Sequence, residues 1–158
     1  MSKDVKKVID LLNEARAREL TAILQYMAQH FQLDNDDYGK LAKVLKATAI
    51  AEMKHAEALA ERILFLGGTP TSKPDGEAKK NQKIPEMLAT DIGLEEQAVK
   101  LYNDAAAACC EALDHVSKDL FEKLLKDEDA HLDMFMNIKD HVDQLGDVYL
   151  ATLTGAGE

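Results

Sequence analysis

The sequence predicts an all-α protein, a four-helix bundle with one long crossover between helices 2 and 3 and a short fifth helix at the C-terminal end. Three observations favour this fold class. The chain has 158 residues, which is the size of one ordinary domain. Aromatic residues make up 5% of the chain and Trp is absent, which disfavours β-sandwiches and barrels. Four long segments carry apolar residues at helical spacing, and clusters of Gly, Pro or Asp separate them.

The first two helices are predicted to form an antiparallel hairpin. From Asp4 to about Leu33 the chain contains no Gly or Pro, and its apolar residues recur every three or four positions. The acidic cluster at residues 34–37 is expected to make a turn and to supply the N-cap of the second helix. That helix keeps the same apolar period until Gly67 and Gly68, which are typical of a helix end.

Residues 67 to about 83 form the long connection, because they hold two of the three Pro and three of the eight Gly. A helix of about 28 residues is about 42 Å long, and roughly 16 extended residues can run that distance, so helices 2 and 3 can be parallel. Pro85 is expected to begin the third helix, and Ser117 is the predicted N-cap of the fourth. Residues 147 to about 154 are expected to add one brief helix.

Charge and cysteine content restrict the classes of partner. The balance of 19 Lys and Arg against 29 Asp and Glu gives a net charge of −10, which repels nucleic acids and anionic membranes and suits cations. The first ten residues are polar, and the chain lacks a run of about 18 apolar residues, so we expect a cytoplasmic protein. Cys109 and Cys110 are adjacent, which excludes a disulfide framework and a CxxC metal knuckle.

A carboxylate interrupts each of the four predicted apolar stripes near its middle. An ionised carboxylate in a bundle core costs several kcal/mol unless it is paired or binds a metal. No Lys or Arg lies on the same stripes to neutralise these charges. A cation other than a Lys or Arg side chain must therefore neutralise the carboxylates at this level of the bundle. These carboxylates are Glu19, Glu52, Glu95 and Glu128.

Two of these carboxylates begin a Glu-x-x-His motif, Glu52 to His55 and Glu128 to His131, and residues three apart share one helix face. A single motif of this kind is more often a surface pair. Here 33 residues separate the two Glu of each half, 36 separate the first Glu from the His, and the halves repeat at an offset of 76. Four Glu and two His on facing helices predict a di-iron or di-manganese site. Its candidate ligands are Glu19, Glu52, His55, Glu95, Glu128 and His131.

Three further residues carry weaker predictions. Tyr26 follows Glu19 by seven residues on the same stripe, so it is expected to pack in the core, with its hydroxyl able to bond a ligand carboxylate. Met53 lies about 100° around its helix from the face that carries Glu52 and His55. This outer face is apolar, which is typical of a contact with a partner subunit. Periodicity alone favours a packing role for Met53 at a subunit contact over a role as a ligand. Gly93, inside the third helix, is expected to mark a close backbone approach.

The sequence resembles the bacterioferritin family over nearly its whole length. The resemblance rests on Glu19 within ARELTAILQY and on EMKHAEALAERILFLGG, PEMLATDIGLE, VSKDLFEKLLKDEDAH and LGDVYLA. It implies a single ferritin-like di-iron domain over residues 1–158. It also implies that the six candidate ligands hold two iron ions, with Glu52 and Glu128 bridging them. The activity implied is oxidation of Fe²⁺ by O₂ or H₂O₂, with ferric mineral stored inside a shell of twenty-four subunits.

The same resemblance changes the interpretation of Met53. It implies that two Met53 thioethers, one from each of two subunits, bind one haem iron across a two-fold axis, so that haem-bridged dimers build the shell. An electron-donor protein for iron release is a further implied partner, whereas nucleic acid and membrane are not. One departure concerns Ala47 and Ala51, where some family members carry a His and an acid beside the site.

Two other functions use the same fold. A di-iron peroxidase or oxygenase would employ the same ligands without storing iron, although its usual four-Cys electron-transfer module is missing from this sequence. A non-catalytic haem-bridged dimer or structural bundle is the third alternative, and four buried carboxylates disfavour it. The size of the assembly distinguishes the first two, because a mineral store needs a closed shell.

Overall fold

The computed structural model describes residues 2–157, and this part of the chain is entirely helical, without strands. Four long helices and one short one confirm the predicted fold class. In chain order they are α1 (Lys3–Asn35), α2 (Gly39–Phe65), α3 (Ile84–Glu111), α4 (His115–Leu145) and α5 (Asp147–Ala151). No helix within the described range is both long enough and apolar enough to cross a membrane.

The turn between α1 and α2 corrects one expectation. The acidic cluster does not cap α2, because α1 continues through Asn35 and takes up the first part of the cluster. Asp37 lies in the turn itself with a φ of 65°. The N-cap position belongs to Tyr38, whose side chain makes no capping hydrogen bond. The cluster therefore contributes the turn, as predicted, but not the cap.

The crossover at residues 66–83 is fastened along α1 by side-chain amides. Asn13 donates to the Thr69 carbonyl at 3.1 Å and accepts from the Thr71 amide at 2.7 Å. Farther along α1, Gln25 exchanges two bonds of 2.8 Å with the backbone of Lys79. The contacts follow the same order along both segments, so the crossover runs beside α1 from one end of the bundle to the other. Helices α2 and α3 consequently start at the same end and run parallel, as the sequence predicted.

The starts of α3 and α4 differ slightly from the prediction. Helix α3 begins at Ile84, so Pro85 is its second residue rather than its first. Helix α4 begins at His115, and the predicted N-cap Ser117 lies inside it. The capping carboxylate is that of Asp114, which accepts from the Ser117 amide at 2.9 Å and from its hydroxyl at 2.7 Å. One carboxylate oxygen therefore satisfies a free amide of the first turn while the other holds the Ser117 hydroxyl, so Asp114 is the cap and Ser117 supports it.

The apolar core is divided into two clusters, one toward each end of the bundle. One contains Leu12, Leu59 and Phe121, and the other contains Tyr26 and Phe135. Between them lies a level of buried polar side chains, which positions the functional site. The expectation for Gly93 was wrong, since a Cβ added at this residue would meet nothing within 4 Å.

Candidate metal centre

The structure brings the six predicted ligand side chains together between the two core clusters. Their helices run along the bundle with the acidic position of each at the same level, which follows from the 76-residue repeat of one hairpin. The four Glu side chains and His55 are buried, and His131 is 16% exposed. Within the described residues none of the four Glu forms an ion pair with a Lys or Arg. The buried residues of the site are Glu19, Glu52, His55, Glu95 and Glu128.

The donor atoms form two overlapping groups, and within each group the atoms lie within 4.8 Å of one another. The first group, called position one here, consists of Glu19, Glu52, His55 and Glu128. The second group, position two, consists of Glu52, Glu95, Glu128 and His131. Glu52 and Glu128 belong to both groups, so each of these two carboxylates can bridge a pair of metal ions.

Both histidines direct Nδ1 into the carboxylate cluster. His55 Nδ1 lies 2.7 Å from a Glu128 oxygen, 2.8 Å from a Glu52 oxygen and 3.4 Å from a Glu19 oxygen. His131 Nδ1 lies 2.9 Å from the other Glu52 oxygen, and the two imidazole rings are stacked with centroids 6.2 Å apart. Each ring therefore offers the same nitrogen to a metal and keeps Nε2 on the outside.

Two tyrosines hold the carboxylates that are not shared. The Tyr26 hydroxyl donates to Glu95, and the Tyr102 hydroxyl donates to Glu19. The sequence predicted that the Tyr26 hydroxyl could bond a ligand carboxylate but assigned no such role to Tyr102. The signal was present, since Tyr102 follows Tyr26 by 76 residues, the same offset that relates the ligands. Each tyrosine reaches across to the Glu of the other half of the repeat.

A seventh residue, Asp127, contacts the site from outside. One of its carboxylate oxygens lies 2.9 Å from His55 Nε2. Asp127 itself is exposed and does not belong to an apolar stripe, so the helical pattern of the sequence did not distinguish it from other surface acids. Its place directly before the ligand Glu128 was the one hint available.

Burial dominates the electrostatics of the site. It raises the pKa of Glu95 to about 10, with the neighbouring Glu128 adding to the shift. Burial also raises the pKa values of Glu52 and Glu128, and the charge of Glu19 adds to both shifts. Burial alone lowers the pKa of His55, but the carboxylates around Nδ1 outweigh it and raise that pKa. For His131 burial prevails and the pKa is lowered. Bound protons thus neutralise carboxylates that would otherwise repel one another, and a metal ion can take the place of these protons.

The donor atoms fit a metal better than they fit one another. Several of them are fully buried and have no partner with hydrogen-bond geometry, namely both Glu52 oxygens, one oxygen each of Glu95 and Glu128, and Nδ1 of His55 and His131. Buried polar atoms are normally satisfied, and orphaned ones suggest an ion or water. Carboxylate and imidazole donors suit iron and manganese, whereas thiolates would favour zinc or a cluster.

Met53 lies apart from this cluster, on the outer face of the α1–α2 hairpin. Its side chain is 55% exposed, and Ile50 one turn away is 40% exposed. Leu24 and Phe31 on α1 are exposed as well, so apolar groups are displayed on the outside of both helices. Ala49, about one turn before Met53, is instead buried in a core cluster. An accessible, neutral and soft thioether of this kind could bind a haem iron.

Comparison with known families defines the class of protein first. A family model described as a ferritin-like domain matches residues 9–145, which include all six candidate ligands. The bundle and its level of carboxylates thus define a ferritin-like protein. Among curated relatives, the bacterioferritin of Desulfovibrio desulfuricans is 46% identical over 149 residues, covering 94% of this chain and 83% of the relative. The bacterioferritin of Rhodobacter capsulatus is 40% identical and covers 95% and 93%. The chain belongs to the bacterioferritin family.

Solved structures agree with this assignment. The X-ray structure of the D. desulfuricans bacterioferritin, described with its di-iron site in different catalytic states, superposes with a TM-score of 0.96 at 44% identity and covers 98% of this chain and 91% of that one. The R. capsulatus bacterioferritin superposes with a TM-score of 0.90 at 38% identity, covering 96% and 94%. That structure is described as having a metal-free dinuclear site and a haem iron in a crystallographic special position.

Proposed function

We propose that the chain is an iron-storage ferroxidase, in which the six clustered side chains bind two Fe²⁺ ions as substrate. The observation that carries the proposal is the pair of overlapping donor groups, whose inward atoms are buried and lack hydrogen-bond partners. The di-iron site of the similar D. desulfuricans protein supports iron as the metal. The ligands are Glu19, Glu52, His55, Glu95, Glu128 and His131.

The donor set accounts for oxidation of the bound ions. Two Fe²⁺ ions release two electrons, which with two protons reduce O₂ to H₂O₂, or reduce H₂O₂ to two molecules of water. Four carboxylates offset much of the added positive charge of two Fe³⁺ ions, so they favour the oxidised pair. Glu52 and Glu128 hold both ions at once and thereby keep them close enough to act together. Tyr26 and Tyr102 keep the two outer carboxylates aimed inward.

Haem is the second proposed group, bound by Met53. The exposed thioether and the apolar side chains around it suit a haem shared with a second copy of the chain. One haem for each pair of subunits follows if the two Met53 side chains are related by a two-fold axis. The haem iron of the similar R. capsulatus protein, described as lying in a crystallographic special position, supports this arrangement. When bound, haem supplies a one-electron redox centre, and this chain contributes the neutral ligand and the apolar contact.

Storage requires a closed container, and we propose a shell of twenty-four copies built from haem-bridged dimers, each copy a single ferritin-like di-iron domain over residues 1–158. The net charge of −10 per chain favours accumulation of cations within such a shell. An electron-donor protein would serve iron release. The free thiols of Cys109 and Cys110 are compatible with the reducing cytoplasm as the place of action.

The test adds Fe²⁺ to the metal-free protein without oxygen, then admits O₂ and follows ferric absorbance and particle mass together. Fast oxidation with iron retained in a particle of many subunits is expected. Glu19→Ala should slow the fast phase roughly 10- to 100-fold, because it removes one ligand and leaves Tyr102 unpaired. The matched control is Glu14→Ala, an exposed carboxylate on the same helix. Equal rates in the two variants would refute the site, and oxidation by a dimer that retains no iron would indicate a peroxidase or oxygenase instead.

A further inference from the structure

The metal centre is nearly symmetric, and one departure from its symmetry involves a candidate histidine ligand. An offset of 76 residues relates the ligands of the two hairpins, and the same offset relates Tyr26 to Tyr102. The two tyrosine bonds are also equivalent in space, since each hydroxyl reaches the Glu of the opposite half. A centre of this kind should offer two equal metal positions unless something around it differs.

The difference lies at the outer nitrogens of the two histidines. His55 Nε2 contacts the Asp127 carboxylate at 2.9 Å. The residue 76 positions before Asp127 is Ala51, so the repeat places a methyl group where the partner of His131 Nε2 would stand. Every ion-pair contact found for the His131 ring within the described residues is made through Nδ1. The sequence thus supplies an acceptor for one histidine and a methyl group at the equivalent position for the other.

The contact between Asp127 and His55 affects the metal affinity of His55, and His131 has no equivalent contact within the described residues. A neutral imidazole that coordinates through Nδ1 must carry its proton on Nε2. Asp127 accepts that N–H, which selects the required tautomer, fixes the ring and makes Nδ1 a stronger donor. Within residues 2–157 no protein group accepts from His131 Nε2, so this ring must adopt the same tautomer and orientation without such a partner. Its greater exposure, 16% against 6% for the side chain of His55, is consistent with a less constrained ring.

We propose, on the basis of the ferroxidase function inferred above, that Asp127 makes the two metal positions unequal. Position one, which contains His55, binds a divalent ion first and holds it more tightly. Position two, which contains His131, binds second and exchanges its ion more readily. Loss of a partner that orients a metal-bound histidine commonly costs 10- to 100-fold in affinity, so the two dissociation constants should differ by roughly that factor. Asp127 is a positioning residue in this scheme, because it acts through His55.

The experiment titrates the metal-free protein with Co²⁺ and follows the visible absorbance of bound cobalt, which needs no turnover. The wild type is expected to bind two ions per chain in two steps of different affinity. Asp127→Ala should weaken the tight step about 10-fold or more, bringing it close to the weak step. Asp127→Asn should lie between, since its amide oxygen still accepts from Nε2 but carries no charge. Asp129→Ala is the matched control, an exposed carboxylate one residue beyond the ligand Glu128.

A gain-of-function variant makes the test independent of any damage to folding. Ala51→Asp should supply the missing acceptor for His131 and strengthen the weak step, and combining it with Asp127→Ala should reverse the order of the positions. His55→Ala and His131→Ala identify which step belongs to which histidine. Two equal steps in the wild type, or the same loss in Asp127→Ala and Asp129→Ala, would overturn the inference while leaving the dinuclear site intact. A wild type that binds no Co²⁺ would instead overturn the proposed function.

Discussion

The metal-free protein is expected to lose stability steadily between pH 7 and pH 9, because the folded state holds protons that the unfolded chain has released. Burial raises the pKa of Glu95 to about 10, whereas a Glu in the unfolded chain titrates near 4.3. The folded state is favoured by this proton at low pH, and the advantage is lost as the pH rises toward the folded-state pKa. His55, whose pKa is raised as well, contributes in the same direction. His131 opposes them only below about pH 6.5, where an unfolded His is protonated.

The magnitude follows from proton linkage. One extra proton bound by the folded state lowers the free energy of unfolding by about 1.4 kcal/mol per pH unit. Over two pH units Glu95 alone therefore costs about 2.7 kcal/mol. For a domain of this size 1 kcal/mol corresponds to roughly 3 °C, so the melting temperature should fall by about 8 °C. A redox-inert dication replaces these protons on binding, and the metal-loaded protein should lose this pH dependence.

Thermal unfolding of the metal-free and Co²⁺-loaded proteins at several pH values between 7 and 9 provides the assay. Glu95→Gln removes one titrating group but keeps an acceptor for Tyr26, so its melting temperature should fall less steeply with pH than that of the wild type. Glu96→Gln alters the exposed neighbouring residue and should retain the wild-type slope. A flat profile for the metal-free wild type would refute the reasoning, as would identical slopes for the two variants.

Three other predictions concern single side chains. Tyr102→Phe removes the hydrogen bond to Glu19, and we expect Co²⁺ affinity to fall by up to about 10-fold; unchanged affinity would mean that the hydroxyl does not orient this ligand. Asp91 is fully buried with both oxygens unpartnered, and burial raises its pKa. Asp91→Asn should therefore raise the melting temperature of the metal-free protein, increasingly so from pH 7 to pH 9, and a lower value at pH 9 would contradict this. Met53→Leu keeps the apolar volume but deletes the thioether, so protein purified from haem-supplied cells should retain its dimer contact and lose the haem absorbance. An unchanged haem spectrum would exclude Met53 as the ligand.

The ligand set was predictable because its signal is local and repeated. A Glu and a His three residues apart must share a helix face, and a second copy of the same spacing makes coincidence a poor explanation. The parallel arrangement of α2 and α3 then followed from comparing the reach of the crossover with the length of a helix. These features do not depend on which side chains touch across the bundle.

The parts that the sequence did not reveal depend on such cross-bundle contacts. Tyr102 looked like any other core residue until the structure placed its hydroxyl on Glu19, 83 residues earlier. The caps of α2 and α4 were mispredicted because capping is decided by one or two dihedral angles, and several neighbouring polar residues compete for the position. Asp127 could not be distinguished from other exposed acids, since its role depends on a ring contributed by a different helix.

The internal repeat separates what the metal requires from what the bundle requires. At the ligand level the two halves agree in all three donor positions and in the tyrosine. Elsewhere in the core the agreement ends, because Gln29 in the first half corresponds to Ala105 and Asp91 in the second half corresponds to Ala15, and all four are buried. Helix packing alone therefore accepts either a polar side chain or a methyl group at equivalent positions of the repeat. A packing requirement would not single out the donors, so their agreement reflects the need for both hairpins to present the same atoms to a shared pair of ions.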